Sequence, residues 1–381
     1  MVKLGDICKK VTNINSDFIG EIDYIDISSI DNERKSIVST QKLDFSEAPS
    51  RAKQLVLPGD ILISNVRPNL NAVAIIISDK SNTLVASTGY TVIRCNNNAF
   101  NRYVFFFCQY SGFVDLLVSQ ATGASYPAVN ASIIKNTIIP LPALEKQHQI
   151  AKNLDTLQSI ITHRRTQLEK LDLLVKARFV EMFGTPESVI DSSHTIAEVA
   201  DVQVGIVIKP TRYYADGKNG IRAFRSLNIG SSCIKDDDWV YFTEDAMKET
   251  QRTIVHTDDI LVVRSGNPGT SCVVPTEYDG CNVIDLIIVH PNKEKVLPEY
   301  LCAFTNMPHG MNQINSQQRG AAQKHFNVGM YKKLKLILPS LDEQKQFINF
   351  LKQTDKSKAT VQKALDEAQL LFDSLMQEYF G

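Results

Sequence analysis

The sequence lacks the common patterns of an enzyme with its own active site. It contains no GxxxxGK[ST] phosphate loop, no glycine-rich dinucleotide turn after a strand, and no HExxH or GxSxG motif. The Asn/Asp-Pro-Pro-aromatic tetrad of amino-methyltransferases is missing as well. Asp23, Glu33 and Lys35 resemble a nuclease metal triplet only superficially, because such triplets are common in charged loops. These absences argue against a self-sufficient enzyme, either a nuclease or a methyltransferase.

Metal, disulfide and membrane patterns are missing too. The seven cysteines form no CxxC pair and no His-rich spacing, so we expect reduced thiols in a cytoplasmic protein without a metal site. The opening stretch MVKLGDICKK has no apolar signal core, and the longest apolar runs are too short to span a membrane. A net charge of −1 over 381 residues means that any nucleic-acid contact requires basic side chains concentrated on one face.

What the sequence does contain is one segment in two copies. IPLPALEKQHQIAKNL occupies 139–154, and LILPSLDEQKQFINFL occupies 336–351. With the prolines aligned, the copies run in step without a gap over 142–184 and 339–381, at an offset of 197 positions. Such a long ungapped match with matching ends indicates an internal duplication. The chain therefore reads as a variable domain, a shared segment, a second variable domain and a second shared segment.

Each shared segment predicts a helix of about 40 residues, opened by a proline and ended by a glycine. Apolar residues follow heptad spacing in both copies, at Ile150, Leu154, Leu157, Ile161, Leu168, Leu171, Val175 and Met182, and at Phe347, Leu351, Val361, Leu365, Phe372, Leu375 and Tyr379. Arg164 and Arg178 interrupt the first stripe. A helix with one apolar stripe must bury it, and its own copy is the obvious partner. The chain path predicts an antiparallel coiled coil with an approximate two-fold axis; two independent helices, each packed on its neighbouring domain, are the alternative.

The variable domains are predicted to be mixed α+β domains. Short strand-like runs are separated by Gly, Pro, Asn and Asp, as in YIDISSI, DILISNV, AVAIII and YTVIRC, and again in DVQVGIVI, DDILVVRS, TSCVVP and IDLIIVH. One late helix is predicted in each domain, at 103–118 and at 298–315. The predicted fold class is thus α+β, with mixed domains at 1–141 and 185–338 and long helices at 142–184 and 339–381.

This arrangement resembles the DNA-specificity (S) subunit of Type I restriction–modification systems. Each helix is opened by a PLPxLxEQxxI-like segment, which reads PLPALEKQHQI at 140–150 and LPSLDEQKQFI at 338–348. Lys146 stands where an acid is usual. Three further stretches resemble family segments: TGASYPAVNASIIKNTIIPLP (122–142), GDILISNVRP (59–68) and DDILVVRSGNPG (258–269).

The resemblance implies a non-catalytic subunit without a cofactor of its own. Each target-recognition domain would read one half of a bipartite site in double-stranded DNA. The helix pair would set the spacing between the half-sites and dock two methyltransferase (M) subunits, which restriction (R) subunits would join. The partner subunits are expected to use S-adenosylmethionine, ATP and Mg. No membrane is involved.

Candidate DNA-reading residues follow from side-chain chemistry, because Arg and Lys pair with guanine, and Asn and Gln pair with adenine. In the first domain these are Arg67, Asn69, Asn71, Ser125 and Tyr126. In the second domain they are Arg225, Arg264, Asn267, Gln323, Lys324 and His325. Ordinary solvation of loop residues is the alternative for each of them. Two other functions stay open: a self-sufficient nuclease or methyltransferase, and a coiled-coil scaffold whose end domains bind protein or sugar.

Overall fold

The computed structural model describes residues 1–77, 83–207, 210–216, 219–319 and 326–381. The chain divides into two compact units, one formed by 1–167 with 360–381 and the other by 168–359. Each unit therefore combines one variable domain with part of each long helix.

The α-helices of the described chain include two long ones that match the duplicated segments. In chain order they are α1 Asn101–Phe107, α2 Ser111–Ser119, α3 Ala131–Asn136, α4 Leu144–Phe183, α5 Glu244–Glu249, α6 Pro298–Asn306, α7 Pro308–Arg319, α8 Val328–Lys332 and α9 Leu341–Phe380. Helices α4 and α9 have 40 residues each, as the spacing of their proline and glycine boundaries predicts. Within the described ranges, no helix has both the length and the apolar character needed to cross a bilayer.

Helices α4 and α9 pack antiparallel in each unit. In the first unit, Asn153 near the start of α4 donates a hydrogen bond to the hydroxyl of Tyr379 near the end of α9, at 3.4 Å. In the second unit, Phe179 near the end of α4 packs edge-on against Phe347 near the start of α9, with ring centroids 5.1 Å apart. The predicted antiparallel coiled coil is confirmed. The helices also pack on their domains, so both contacts considered from the sequence are present.

The first unit contains a mixed sheet and an antiparallel sheet. Its strands are β1 Val2–Lys3, β2 Cys8–Lys9, β3 Glu21–Ile25, β4 Ile30–Asp31, β5 Ser36–Ile37, β6 Gln41–Asp44, β7 Ala52–Leu55, β8 Ile61–Ser64, β9 Val73–Ile75, β10 Thr83–Ser87, β11 Tyr90–Cys95 and β12 Ile138–Ile139. The mixed sheet has the order β6-β3-β10-β7, with β3 parallel to β10. The antiparallel sheet has the order β2-β11-β8-β9, and β4 and β5 form a separate hairpin.

The second unit has the same antiparallel sheet and a mixed sheet with one strand fewer. Its strands are β13 Ala200–Val204, β14 Ile221–Phe224, β15 Ile229–Gly230, β16 Cys233–Ile234, β17 Val240–Phe242, β18 Ile260–Val263, β19 Ser271–Val273, β20 Asn282–Val283 and β21 Leu286–Pro291. The antiparallel sheet β13-β21-β18-β19 corresponds to β2-β11-β8-β9 of the first unit. The mixed sheet β17-β14-β20 again has a parallel central pair, β14 with β20. The two variable domains therefore share one fold although their sequences differ.

The single late helix predicted in each domain is wrong, because the structure breaks it in two. In the first unit Tyr110 is extended (ψ 134°) between α1 and α2. In the second unit Met307 is extended (ψ 163°) between α6 and α7. Met307 precedes Pro308, whose ring disfavours a helical conformation in the preceding residue. That proline was a signal for the break in the second domain.

The ends of the long helices bury aromatic residues that the heptad pattern leaves out. Phe179 is fully buried and stacks on Tyr300 of α6, with ring centroids 5.9 Å apart. Phe183 also packs on Tyr300, at 5.2 Å, and its counterpart Phe380 packs in the first unit against Tyr103 of α1, at 5.1 Å. Each helix end packs on a domain as well as on the other helix, so its apolar surface is wider than a two-helix stripe.

A buried glutamine accounts for the duplicated PLPxLxEQ-like segment. In the first unit, the side-chain oxygen of Gln147 accepts a hydrogen bond from the backbone N–H of Phe100 at 2.8 Å. Its nitrogen donates to the carbonyls of Asn98 at 3.1 Å and Pro142 at 2.8 Å. The side chain thereby joins the start of α4 to the start of α1.

Gln344 makes the same three bonds in the second unit. It accepts from the N–H of Leu297 at 2.8 Å and donates to the carbonyls of Lys295 at 3.1 Å and Pro339 at 3.0 Å. Each partner lies 197 positions after its counterpart in the first unit. Both glutamines are fully buried. The segment therefore has a structural role, which is to fix a long helix to its own domain.

An ion pair beside each glutamine has opposite polarity in the two units. In the first unit Arg102 of α1 donates through Nε to Asp155 of α4 at 2.6 Å. In the second unit Lys352 of α9 donates to Glu299 of α6 at 3.0 Å. The four residues occupy equivalent positions, but the positive charge is on the domain in one unit and on the long helix in the other.

A buried aspartate at the start of a central strand is paired with different cations in the two units. Asp60 and Asp259 each accept a hydrogen bond from a backbone N–H three residues upstream, at 2.8 Å. Arg94 binds Asp60 through two nitrogens, at 2.9 and 2.7 Å. In the second unit Nδ1 of His290 lies 2.6 Å from Asp259. Only the histidine pair can lose its positive charge near neutral pH.

We therefore expect the His290–Asp259 pair to stabilise the second unit less at about pH 9 than at about pH 6. The hydrogen bond to Asp259 raises the pKa of His290 despite the opposing effect of burial, and Asp201 adds to the rise. An unfolded histidine ionises near pH 6.5, so the pair contributes fully below that pH, and its contribution is lost as the pH passes the raised pKa. His290→Gln should remove this dependence. The measurement is urea unfolding at both pH values, monitored through the fluorescence of Trp239, the chain's one tryptophan. An unchanged pH dependence in the variant would contradict the expectation.

Candidate nucleic-acid interface

Two predicted DNA-reading loops of the first domain meet in the structure. Val66 pairs with Ala128 in an antiparallel bridge, and the N–H of Arg67 donates to the carbonyl of Pro127 at 2.7 Å. The guanidinium of Arg67 lies over the ring of Tyr126, 4.9 Å from its centroid. Residues almost 60 positions apart in the sequence thus form one surface.

The side chains of this surface are available to a partner. Arg67, Asn69, Ser125 and Tyr126 are exposed, and Asn71 is partly buried. Tyr126 is 59% exposed, although aromatic side chains usually bury most of their surface. Within the described part of the chain, Arg67 has no carboxylate partner. A planar guanidinium held on an aromatic ring suits guanine or phosphate recognition. The DNA-binding role of these residues stays a prediction.

Among the described residues of the first unit, the non-glycine residues with left-handed backbone lie at or beside this surface. Arg67 and Asn71 have φ values of 49° and 44°, and Lys35, at the tip of the β4–β5 hairpin, has φ 51°. Such values are uncommon outside glycine and persist where the surrounding structure enforces them. The ammonium of Lys35 donates to the carbonyl of Asn71 at 2.6 Å, so these residues are in one contact network.

The sequence did not single out Lys35 as a site residue. Burial lowers the pKa of Lys35 to about 8, and Asp31 acts in the opposite direction. A partly desolvated lysine beside the predicted DNA-reading loop can stabilise that loop through its contact with the Asn71 carbonyl. The available signal is the charged stretch Glu33-Arg34-Lys35 between two short strands. Over the described residues, no group of three or more His, Cys, Asp or Glu side chains is arranged to hold a metal.

The predicted arginines of the second domain have internal partners. Arg264 forms an ion pair with Asp285, and its Nε donates to the carbonyl of Phe326 at 3.2 Å. Arg225 donates to the backbone carbonyl of Asp238 and pairs with its carboxylate at 3.0 Å. These contacts hold loops in place, and the DNA-binding role of both arginines stays a prediction.

The remaining candidates of the second domain are the exposed Asn267 and a segment that the structure does not describe. Gln323, Lys324 and His325 lie outside the described residues. Phe326, which follows them, donates its N–H to the carbonyl of Arg264 at 3.3 Å. The corresponding bond in the first unit runs from Val129 to Asn65 at 2.8 Å. The backbone frame of the predicted DNA-reading loops is therefore shared by the two units.

The fold defines a protein with two copies of one α+β domain, each attached to part of an antiparallel helix pair. The first copy presents a surface of exposed polar and cationic loops. The family model described as the Type I restriction modification DNA specificity domain matches this chain twice, over residues 1–171 and 195–369. The chain belongs to this family. Each match covers one variable domain and most of the long helix that follows it.

Individual relatives agree with this assignment. The specificity subunit of the Type I restriction enzyme StySPI from Salmonella potsdam is 24% identical over 297 residues, which is 72% of this chain and 63% of that protein. The chain thus matches less than two thirds of that relative's length. The putative Type I MjaX specificity subunit of Methanocaldococcus jannaschii is 24% identical over 398 residues, which is 95% of this chain and 89% of that protein.

Solved structures show the same fold. A chain from a study of complex assembly and conformational transition in a Type I restriction–modification system is 22% identical, with a TM-score of 0.64 over 99% of this chain and 96% of its own. The Type I S subunit from M. genitalium is 14% identical, with a TM-score of 0.54 over 100% of this chain and 95% of its own. At these identities the likeness supports the architecture alone.

Proposed function

We propose that this chain is the DNA-specificity subunit of a Type I restriction–modification complex. The observation that carries the proposal is the double match to the specificity-domain family, one match for each variable domain. Each domain reads one half of a bipartite sequence in double-stranded DNA, through loops such as the surface around Arg67 and Tyr126. The antiparallel helix pair sets the spacing between the half-sites.

The chain acts without catalysis of its own in this proposal. Two methyltransferase subunits dock on the helix pair and supply methyl transfer from S-adenosylmethionine. Restriction subunits that use ATP and Mg join the same assembly in the cytoplasm. The duplicated helices support this arrangement, because two equivalent supports suit two copies of one partner. The scaffold alternative has no observation in its favour.

The test is to express the chain with the methyltransferase subunit of its system and to map methylated positions in plasmid DNA. We expect one bipartite motif with a fixed gap, and no methylation by either protein alone. Methylation by the purified chain alone would show that it is an enzyme. A failure to bind any specific duplex, even with the methyltransferase present, would support the scaffold alternative.

A further inference from the structure

Each long helix carries two adjacent leucines that the fold leaves exposed. Leu173 and Leu174 of α4 are 62% and 49% exposed, and Leu370 and Leu371 of α9 are 72% and 50% exposed. The two pairs occupy equivalent positions of the internal repeat, 197 residues apart. Each pair lies within a single compact unit. Isolated exposed leucines are common, but an exposed pair repeated at the same place in both copies indicates a contact surface.

The residues that flank the two pairs on the same helical face differ. The α4 pair is flanked by Lys170, Ala177 and Val180. The α9 pair is flanked, at equivalent positions, by Glu367, Ser374 and Gln377. All six are exposed, and the side chain of Gln377 accepts a hydrogen bond from the hydroxyl of Tyr110 at 3.0 Å. The α4 pair thus has basic and apolar neighbours, whereas the α9 pair has acidic and polar neighbours.

We propose that the two leucine pairs are the contact points for two copies of one partner subunit, and that the α4 pair binds its copy more tightly. This inference rests on the proposed function, which identifies the partner as the methyltransferase subunit. Two copies of one subunit present the same surface to both sites. The leucines, which the sites have in common, supply the shared apolar contact. The flanking residues, which the sites do not share, set the difference in affinity.

The ranking of the sites follows from the apolar area that each contact buries, and charge adds a further difference between them. Ala177 and Val180 add apolar area to the α4 contact, whereas Ser374 and Gln377 give up water when they are covered. Lys170 and Glu367 have opposite charges, so any charged group of the partner that lies near them is attracted at one site and repelled at the other. Both copies of the repeat keep the leucines, but the residues beside them differ. The two partner subunits should therefore bind with unequal affinities.

The test is a titration of the chain with the methyltransferase subunit. Native mass spectrometry counts the bound copies, and calorimetry measures the affinity of each binding step. For the wild-type chain we expect two steps of unequal affinity. Leu173→Glu with Leu174→Glu should weaken the tighter step about 100-fold, because two apolar side chains lose their burial. Leu370→Glu with Leu371→Glu should weaken the other step by a similar factor. Glu367→Lys should change the affinity of the weaker step alone, and this change should shrink at high salt.

Control variants separate docking from folding. Ile190 is 76% exposed and lies outside both long helices, so Ile190→Glu should leave both steps unchanged. Far-UV circular dichroism should show the wild-type helix content for every variant. Substitution of exposed leucines by glutamate, a good helix former, favours this result.

The outcomes distinguish this inference from the proposed function. If the leucine variants bind two methyltransferase copies as tightly as the wild-type chain, the contact assignment is wrong while the proposed function stands. If the wild-type chain binds no methyltransferase, the proposed function itself fails. If the wild-type chain self-associates through these leucines without methyltransferase, the occupant is a second copy of this chain, and the proposal is overturned. Equal affinities for the two steps would overturn the ranking.

Discussion

Gln147→Ala is expected to destabilise the first unit by about 3 kcal/mol. The substitution leaves the N–H of Phe100 and the carbonyls of Asn98 and Pro142 without the partner that now satisfies them. Each buried polar group that loses its partner costs about 1–3 kcal/mol, and such losses are not fully additive. Urea unfolding followed by circular dichroism gives the free energy. Hydrogen exchange at the amide of Phe100 locates the change.

The Gln-x-Gln pattern provides the matched control. Gln149 lies two positions away on the same helix and is exposed, so Gln149→Ala should change the free energy of unfolding by less than about 0.5 kcal/mol. Gln147→Glu keeps the size of the side chain but places an acceptor against two carbonyl oxygens, and should resemble Gln147→Ala. Gln344→Ala should act on the second unit in the same way. Equal effects at positions 147 and 149 would disprove the structural role of the buried glutamine.

Arg67→Ala is expected to weaken recognition at one half-site by about 10- to 100-fold and to spare the other half-site. A bidentate arginine–guanine contact contributes about 1–3 kcal/mol of discrimination. In the structure the guanidinium is held over the ring of Tyr126, so Tyr126→Ala should produce a smaller loss at the same half-site. The measurement is binding of the complete complex to duplexes in which each base pair of the two half-sites is changed in turn.

The salt dependence of binding separates base reading from phosphate contact. If Arg67 contacts only phosphate, Arg67→Ala should weaken all duplexes uniformly and reduce the salt slope by about one. Lys42→Ala serves as the control, because Lys42 is an exposed cation of the same unit that already pairs with Glu21 at 3.6 Å. Equal loss at both half-sites would count against the assignment of Arg67 to one of them.

The architecture could be predicted from the sequence, because the patterns that define it are local or repeated. Helical periodicity and its proline and glycine boundaries predicted two 40-residue helices, the apolar stripe predicted that they pair, and the chain path predicted that they are antiparallel. The same local signals could not place Phe179 or Phe380 in the core. Their burial depends on α6 and α1, which come from the variable domains and contribute no heptad pattern.

The candidate site was less accessible to prediction, because its contacts join distant parts of the chain. Arg67 and Tyr126 were each chosen for their chemistry, but the stack between them depends on the bridge from Val66 to Ala128. Lys35 was missed because its carbonyl partner, Asn71, lies in another loop. Likewise, Gln147 and Gln149 look alike in the sequence, and only tertiary packing shows which one is buried.

The reversed ion pairs limit how the gene can be rearranged. If the first domain were fused to the second long helix, Arg102 would face Lys352; the reciprocal fusion would set Glu299 against Asp155. Each of these hybrids replaces an attraction with a repulsion. A domain inherited with its own helix keeps its pair wherever the module is inserted. Asp155 and Lys352 lie near the starts of α4 and α9, so an exchange between related genes keeps these pairs when each domain moves together with the start of the helix that follows it.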